Sequence, residues 1–387
     1  MADPLLFTPM ALRGITLKNR IVIAPMHQYS AVNGYATDWH LMNAGRFAAG
    51  GAGLVIMEST KVERRGCGTV GDLGIWKDEF IPGLKRCTEF IRRHGAVPGI
   101  QLGHSGRKAR RLRPWEGGAP LKPSTEIEDW EAWELVAPSA LSSPESDPPP
   151  RALAREEIGT LIEAWGEAAR RADEAGFEVL EVHGAHGYLI HEFLSPFSNR
   201  RTDDYGGSER NRMRFCIEVV EAVRAKWPHE KPLFLRLSVE DNAGWDPEQS
   251  AHLARIVKTK GVDVIDCSSG GMTGSPVISA GPVGYGYQVP YAAKLRAEAG
   301  IKTMAVGLIV HADQAETILA QDQADLVAIA REVLYNPNWP MDAAQKLGVD
   351  REFASVPSAQ AYWLAKRASA VKGVVPSTFQ RGIGQAR

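Results

Sequence analysis

His183, His186 and Tyr188 stand close together in the sequence, directly after a short apolar stretch. That stretch, residues 176–182, begins at a glycine and contains β-branched residues, which predicts a buried strand with the three rings at its C-terminal end. Because the two histidines are three positions apart, both can donate an N–H group to one oxygen atom, and the phenol beside them can supply a proton. The cluster therefore predicts a site that polarises a carbonyl group and delivers a proton.

This cluster has two other interpretations. In the first, the histidines have a structural role and only hydrogen-bond to buried backbone groups. In the second, the His-x-x-His pair binds zinc. Zinc is disfavoured because no carboxylate or cysteine follows at ligand spacing and the chain lacks a His-Glu-x-x-His motif. We therefore expect no metal site, and two histidines with a tyrosine between glycines favour a catalytic role over a structural one.

The composition favours a small-molecule partner. The 387 residues contain 45 Lys and Arg against 46 Asp and Glu, so the net charge of −1 gives no electrostatic reason to expect a nucleic acid or a membrane surface. Four cysteines are scattered without a Cys-x-x-Cys motif, which argues against disulfides and against iron–sulfur or zinc clusters. The first residues show no basic segment followed by an apolar core, and no apolar run of about 18 residues occurs. We expect a cytoplasmic protein.

Apolar runs typical of strands alternate with amphipathic stretches of helical period. Strands are predicted at residues 20–24, 53–57, 97–102, 177–182, 233–237, 262–266, 303–306 and 326–329. Helices are predicted at residues 41–49, 82–94, 155–175, 211–227, 247–260, 291–299 and 313–320. This alternation, with strands apolar on both faces, indicates an α/β fold, a (β/α)8 TIM barrel formed by residues 1–387 as a single domain. An open doubly wound sheet is the alternative, but no Gly-x-Gly-x-x-Gly follows the first strand.

Three segments lie outside this repeat. Residues 5–18 contain two short apolar pieces broken by Pro9 and Gly14, which predicts an N-terminal hairpin that closes one end of the barrel. Residues 103–154, after the third strand, are dense in Pro, Trp and charge, which is typical of a lid or binding loop. The basic residues at 107–113 can meet a phosphorylated ligand or simply face solvent. A tail at about residues 350–387 follows the last helix.

Polar side chains collect at the C-terminal ends of the predicted strands, where barrel enzymes have their active sites. At the seventh and eighth strands stand Gly307 and Ala330-Arg331. Small residues let backbone N–H groups approach a phosphate and an arginine pairs with its charge, so these ends predict a phosphate-bearing cofactor. His27 and Tyr29 follow the first strand, where an aromatic ring serves packing as often as function.

Two further polar residues lie on strands at either side of the histidine cluster. Gln101 and Arg236 can contact a flat polar heterocycle held by the phosphate site. Arg236 can instead form a buried ion pair with Glu58 or Glu240.

Several ordered segments match a known family. They are Leu17 to Met26, Gly99 to Lys108, Arg113 to Gly117, His183 to Pro196, Arg201 to Gly207, Asp266 to Gly270 and Ala324 to Arg331. The chain resembles the old yellow enzyme family of FMN-dependent ene-reductases, within it the bacterial subgroup similar to YqjM and xenobiotic reductase A, from about Leu6 to Pro337.

The resemblance implies one non-covalent FMN, reduced by NAD(P)H, and reduction of the C=C bond of α,β-unsaturated carbonyl or nitro compounds. His183 and His186 would hold the substrate oxygen, Tyr188 would supply the proton and Tyr29 would line the pocket. The flavin ring would be surrounded by Ala24, Pro25, Met26, His27, Ser59, Gln101 and Arg236, and the phosphate would lie at Gly307, Ala330 and Arg331. The resemblance also implies a homodimer or homotetramer, with Trp363 or Arg367 of the tail reaching a neighbour's site.

One position departs from the family pattern. His27 stands where this subgroup typically has a cysteine that contacts the flavin. An imidazole is larger and can carry a charge near neutral pH, so a flavin-binding barrel with altered reactivity is one alternative. A metal-dependent barrel hydrolase is another alternative. Such an enzyme would need a His-x-His motif on its first strand, whereas the first predicted strand of this chain ends in Ala-Pro-Met. A larger dienoyl-CoA reductase relative would need a cysteine cluster and a further domain.

Overall fold

The computed structural model describes residues 4–123, 127, 129–142, 149–274 and 283–370. Eight parallel strands form a closed barrel in the spatial order β3-β4-β5-β8-β9-β10-β11-β12. These strands are β3 (Ile21–Ile23), β4 (Leu54–Lys61), β5 (Val97–Gly103), β8 (Val179–Gly184), β9 (Leu233–Ser238), β10 (Val264–Ser268), β11 (Lys302–Ala305) and β12 (Leu326–Ile329). The predicted (β/α)8 barrel is confirmed, since every predicted strand overlaps one of them.

Helices connect successive strands on the outside of the barrel. They are α1 (Asp38–Ala49), α2 (Ile81–Arg93), α3 (Arg155–Glu174), α4 (Leu189–Leu194), α5 (Glu209–Lys226), α6 (Pro247–Thr259), α7 (Val289–Ala299) and α8 (Ala312–Ala320), followed by α9 (Arg331–Tyr335), α10 (Trp339–Lys346) and α11 (Ser358–Ala370). Capping residues in the sequence define the ends of several helices. The Asp246 side chain caps α6, which has a proline in its first turn, and Gly300, with φ +58°, caps the C-terminal end of α7.

The strands bury both faces, as their nearly continuous apolar sequences require. One face packs inside the barrel through Val22, Leu54 and Phe234, and the other, which includes Leu180 and Val182, packs in the layer between the strands and the helices. Each large aliphatic or aromatic side chain buried in this way stabilises the fold by roughly 1.5–3 kcal/mol. Towards the C-terminal ends, the inward positions change from apolar to polar residues, so a tightly packed barrel ends in a polar rim.

The N-terminal hairpin closes the opposite end of the barrel. Strands β1 (Met10–Leu12) and β2 (Ile15–Leu17) pair antiparallel. Met10, Leu12 and Leu17 belong to the same apolar cluster as the inward residues at the starts of the barrel strands. The predicted hairpin and its closing role are therefore confirmed by the structure.

A bulge interrupts the pairing of β4 with β5. Met57 lies opposite Ile100, but the next pair is Ser59 with Gln101, so Glu58 is the extra residue. Since strand side chains alternate, this single insertion brings Ser59 and Lys61 onto the inward face and turns Glu58 away from it. Nothing in the alternation of the sequence marks this bulge.

The excursion after the third barrel strand packs over the C-terminal end of the barrel. Its described part contains short 3₁₀ turns at Gly106–Lys108 and Pro114–Glu116, and strands β6 (Val136–Ala137) and β7 (Arg151–Ala152) pair in parallel. The Trp133 indole N–H donates to the carbonyl of Cys67, which ties the excursion to the loop after β4. Residues 124–126, 128 and 143–148 of this predicted lid lie outside the described residues.

The tail carries an exposed helix. Helix α11 has no buried residue, and the Trp363 side chain is 63 % exposed. Trp363 and Arg367 both lie on this helix, and their proposed reach into a neighbouring subunit stays a prediction. Residues 371–387 lie outside the described part of the chain. Within that described part, no helix combines the length and apolarity needed to cross a membrane.

Candidate active site

A cavity of about 1060 Å³ opens at the C-terminal ends of the barrel strands. Nine of the residues predicted to form the site line it: Met26, His27, Tyr29, His186, Tyr188, Arg236, Gly307, Ala330 and Arg331. They come from distant parts of the sequence, and the closed barrel brings them together. The cavity is large enough for a dinucleotide-sized or flavin-sized ligand together with a small substrate.

The remaining predicted residues do not line this cavity. Ala24, Ser59 and Gln101 are buried, and Pro25 is partly exposed in the segment after β3. His183 is also buried, but its ring packs edge to face on Tyr188, with centroids 5.0 Å apart, and on His186 at 5.2 Å. The predicted trio is therefore one contiguous cluster, with His186 and Tyr188 nearest to the open space.

A tight turn after β8 presents the cluster. His186 and Gly187 both have left-handed backbones, with φ +61° and +70°, which Gly adopts freely and His only at a cost. Three contacts hold this turn: the His186 N–H donates to the Ser238 hydroxyl at 2.9 Å, the Gly187 N–H donates to Nδ1 of His191 at 2.8 Å, and His186 Nε2 lies 2.7 Å from Ser268 Oγ. Sequence reasoning missed these supports.

Both cluster histidines are neutral. Burial depresses the pKa of His183 and of His186 well below the ordinary value, and nearby positive charge, including Arg236, adds to the effect. Each ring therefore carries one N–H and no charge around neutral pH. Neutral N–H donors suit a substrate oxygen on which negative charge develops only during the reaction.

Two buried carboxyl groups lie beneath the cavity. The Gln101 amide donates to Glu181 at 2.8 Å, and Arg236 lies 3.2 Å from Asp266 on the neighbouring strand β10. Burial, and then the Asp266 charge, raise the pKa of Glu181 to about 8, and burial also raises the pKa of Asp266.

The ion-pair alternative for Arg236 named the wrong partners. Asp266 pairs with Arg236, whereas Glu58 faces the loop after β3 and Glu240 accepts the Tyr291 hydroxyl at 2.6 Å. Arg236 is both paired and at the cavity wall, so the two interpretations are compatible. The pairing partner depends on strand order and register, which the sequence pattern does not give.

The far end of the cavity fits a phosphate-bearing cofactor. Gly307 has φ +109°, and a Cβ placed there would meet the Gln288 Oε1 atom at 2.6 Å, so only glycine leaves this backbone accessible. Ala330 and the exposed Arg331 line the same end. A small-residue backbone and a guanidinium are the donor set that a phosphate requires. The residues present therefore fit FMN.

The basic cluster of the excursion is neither wholly solvated nor wholly a ligand site. Arg107 is buried and contacts Met272, and Arg110 stacks on Trp130 at 3.6 Å. Lys108 and Arg111 line the cavity, and the Lys108 ammonium donates to the carbonyls of His186 and Gly271.

Glu192 of α4 anchors the excursion and predicts a pH-dependent stability. Its buried carboxyl accepts the Arg107 N–H at 2.9 Å, and burial raises its pKa from an ordinary 4.5 to about 8. The folded state thus keeps a proton that the unfolded chain loses above pH 4.5. The stability that this proton brings is full below about pH 4.5 and is lost as the pH rises through about 8.

Glu192→Gln mimics the protonated acid, so we expect the variant to match the wild type at pH 5 and to exceed its unfolding free energy at pH 8.5 by on the order of a few kcal/mol. Urea unfolding at both pH values measures this. Glu163→Gln, at an exposed position on α3, is the control. An equal pH slope in wild type and Glu192→Gln would contradict the assignment.

The fold and the site define a barrel enzyme with a phosphate-binding end and a paired-histidine oxygen site. The chain belongs to the NADH:flavin oxidoreductase / NADH oxidase family, whose sequence model matches residues 5–350. It is therefore an FMN-dependent oxidoreductase that uses NAD(P)H, and the resemblance to old yellow enzymes is confirmed. This membership decides against the metal-dependent hydrolase.

Individual relatives agree with this assignment. An NADPH dehydrogenase of Geobacillus sp. (strain WCH70) is 44 % identical over 350 residues, which are 89 % of this chain and 95 % of that protein. The old yellow enzyme homologue of Zymomonas mobilis is 27 % identical with a TM-score of 0.74, over 89 % of this chain and 93 % of that one. A 2-naphthoyl-CoA reductase matches 90 % of this chain with a TM-score of 0.78 and 26 % identity, but the chain spans only 53 % of that longer enzyme.

Proposed function

We propose that this enzyme reduces the C=C bond of α,β-unsaturated carbonyl or nitro compounds. The observation that carries the proposal is the contiguous cluster of two neutral histidines and a tyrosine at the cavity. Bound FMN supplies the hydride chemistry between NAD(P)H and the alkene. The chain's own residues have to hold the substrate oxygen and deliver a proton.

His183 and His186 hold the carbonyl or nitro oxygen by donating N–H bonds that strengthen as the oxygen becomes negative. Tyr188 gives its hydroxyl proton to the α-carbon, and Tyr29, which stacks on His27 at 5.2 Å, forms a wall of the substrate pocket. Product departure and a new proton on Tyr188 restore the site.

Several of the proposed cofactor contacts line the same cavity. Gly307, Ala330 and Arg331 bind the phosphate, and Arg236 lies at the ring end, held by Asp266. Ala24, Pro25, Met26, Ser59 and Gln101 complete the surroundings of the ring. We also propose a homodimer or homotetramer located in the cytoplasm.

The position of deuterium in the product tests whether the enzyme reduces the C=C bond. With 2-cyclohexenone and NADPH in D₂O, we expect cyclohexanone that carries one deuterium at the α-carbon, because the Tyr188 proton exchanges with solvent. Mass spectrometry of the product measures this, and cyclohexanone incubated alone with the enzyme in D₂O corrects for exchange. Formation of the allylic alcohol, or no product, would contradict C=C reduction.

A further inference from the structure

His27 is within reach of a carboxylate that the bulge in β4 turns towards it. Glu58 is fully buried, its Oε2 accepts the Gln28 N–H at 2.9 Å, and the same oxygen lies 3.7 Å from Nδ1 of His27. Burial would raise the pKa of this carboxyl, but the adjacent histidines His27 and His40 outweigh burial and hold it at about 2. Glu58 is therefore ionised throughout the working pH range.

A second histidine lies beside Glu58. The Thr37 N–H donates to Nδ1 of His40 at 3.0 Å, and Nε2 of that ring lies 3.1 Å from Glu58 Oε1. The buried carboxylate of Glu58 is thus close to both imidazole rings, and the His27 side chain is 17 % exposed.

The other nitrogen of His27 faces the proton donor of the site. Nε2 lies 3.5 Å from the Tyr188 hydroxyl, and the two rings meet edge to face with centroids 6.3 Å apart. On another side, the fully buried Lys61 ammonium lies 5.2 Å from the centre of the Tyr188 ring and 3.5 Å from Asp72. Tyr188 is thus placed between the His27–Glu58 pair and the Lys61–Asp72 pair.

We propose that His27, held by Glu58, is a positioning residue for Tyr188: its Nε2–H donates to the phenolate oxygen as the tyrosine proton leaves. The inference rests on the proposed function. In the step, the O–H bond of Tyr188 breaks and a C–H bond forms at the substrate α-carbon. The negative charge moves to the phenolate oxygen, which later takes a proton from His27 Nε2, and the neutral imidazole regains one from water.

The inference gives the oxidative half-reaction a pH dependence. The titratable groups that face His27 are Glu58 from β4, Tyr29 from its own segment, and Tyr188, His183 and His186 from β8 and the following turn. Glu58 is ionised and the paired histidines are neutral near pH 7. Because the proposed step needs a proton on Nε2 of His27, the reaction of the reduced enzyme with an enone slows where that proton is absent.

Stopped-flow measurements on the flavin-loaded enzyme with 2-cyclohexenone test this. We expect His27→Gln to slow reoxidation by about 10- to 100-fold at low pH, the typical effect of a hydrogen bond to a charged group, and to remove its pH dependence. Glu58→Gln should weaken the pH dependence in the same direction. His252→Gln, an exposed histidine paired with Glu209 on the barrel exterior, is the matched control.

A second readout is independent of turnover. With [¹³Cζ]tyrosine, the Tyr188 resonance of the holoenzyme is identified by its loss in Tyr188→Phe. In His27→Gln, the tyrosinate signal should begin at a higher pH than in the wild type. If His27→Gln does not fold, Glu58→Gln and the wild-type pH profile carry the same test.

The inference is overturned if His27→Gln reoxidises with the same rate and pH profile as the wild type. It is also overturned if the reoxidation rate of His27→Gln falls by the same factor at every pH and the ionisation of Tyr188 does not change. These outcomes differ from failure of the proposed function itself, in which the wild-type enzyme would not reoxidise with the enone at all.

Discussion

Replacing His183 by alanine is expected to lower enone turnover about 10²–10³-fold while FMN stays bound. The ring of His183 packs on both His186 and Tyr188, and burial keeps it neutral. Its loss removes one of the two N–H groups proposed to bind the substrate oxygen when that oxygen becomes negative. The effect should therefore fall on kcat/KM for 2-cyclohexenone and leave flavin reduction by NADPH nearly unchanged.

Steady-state kinetics and the visible flavin spectrum measure both parts of this expectation. His252→Ala removes an exposed histidine outside the cavity and should behave as the wild type. His186→Ala should show a similar loss, but the left-handed backbone at this position, φ +61°, and the contact with Ser268 make its effect on folding larger. Full enone turnover in His183→Ala would contradict the oxygen-binding role.

Tyr188→Phe is expected to slow reoxidation by the enone about 10²–10⁴-fold and to leave the reductive half-reaction nearly intact. Phenylalanine keeps the ring that packs on His183 and that faces the Lys61 ammonium. It lacks the hydroxyl that lies 3.5 Å from His27 Nε2. The substitution therefore removes the proton donor with little change in packing.

Anaerobic stopped-flow separates the two half-reactions. NADPH is mixed with oxidised enzyme in one experiment, and the reduced enzyme is mixed with 2-cyclohexenone in the other. If Tyr188→Phe lowers the rates of both half-reactions equally, Tyr188 shapes the cavity instead of donating a proton. Reoxidation at the wild-type rate would assign the proton to water or to another group.

Much of the barrel follows from the sequence because its strands are apolar on both faces and its helices are amphipathic. The predicted runs at 20–24 and 326–329 correspond to β3 and β12, which close the barrel by pairing with each other. The residues at the strand ends, such as His186, Arg236 and Gly307, could be placed at one rim because parallel strands all end on the same side.

The remaining features depend on contacts between distant segments. The partner of Arg236 is Asp266 because β9 and β10 pair with these residues opposite each other, and hydrophobic periodicity does not specify that register. The bulge at Glu58 changes which residues of β4 face inward. His40 and Lys61 therefore escaped attention, and Glu58 was considered only as a partner of Arg236, although Glu58 lies beside His27 and Lys61 beside Tyr188.

The visible spectrum of the purified protein, followed under anaerobic conditions by NADPH and then 2-cyclohexenone, tests the central claim most directly. We expect flavin bands that bleach with NADPH and return in full when the enone is added, since both half-reactions use the same cavity. Bands that bleach with NADPH but stay bleached in the presence of the enone would contradict the proposed reduction of activated alkenes.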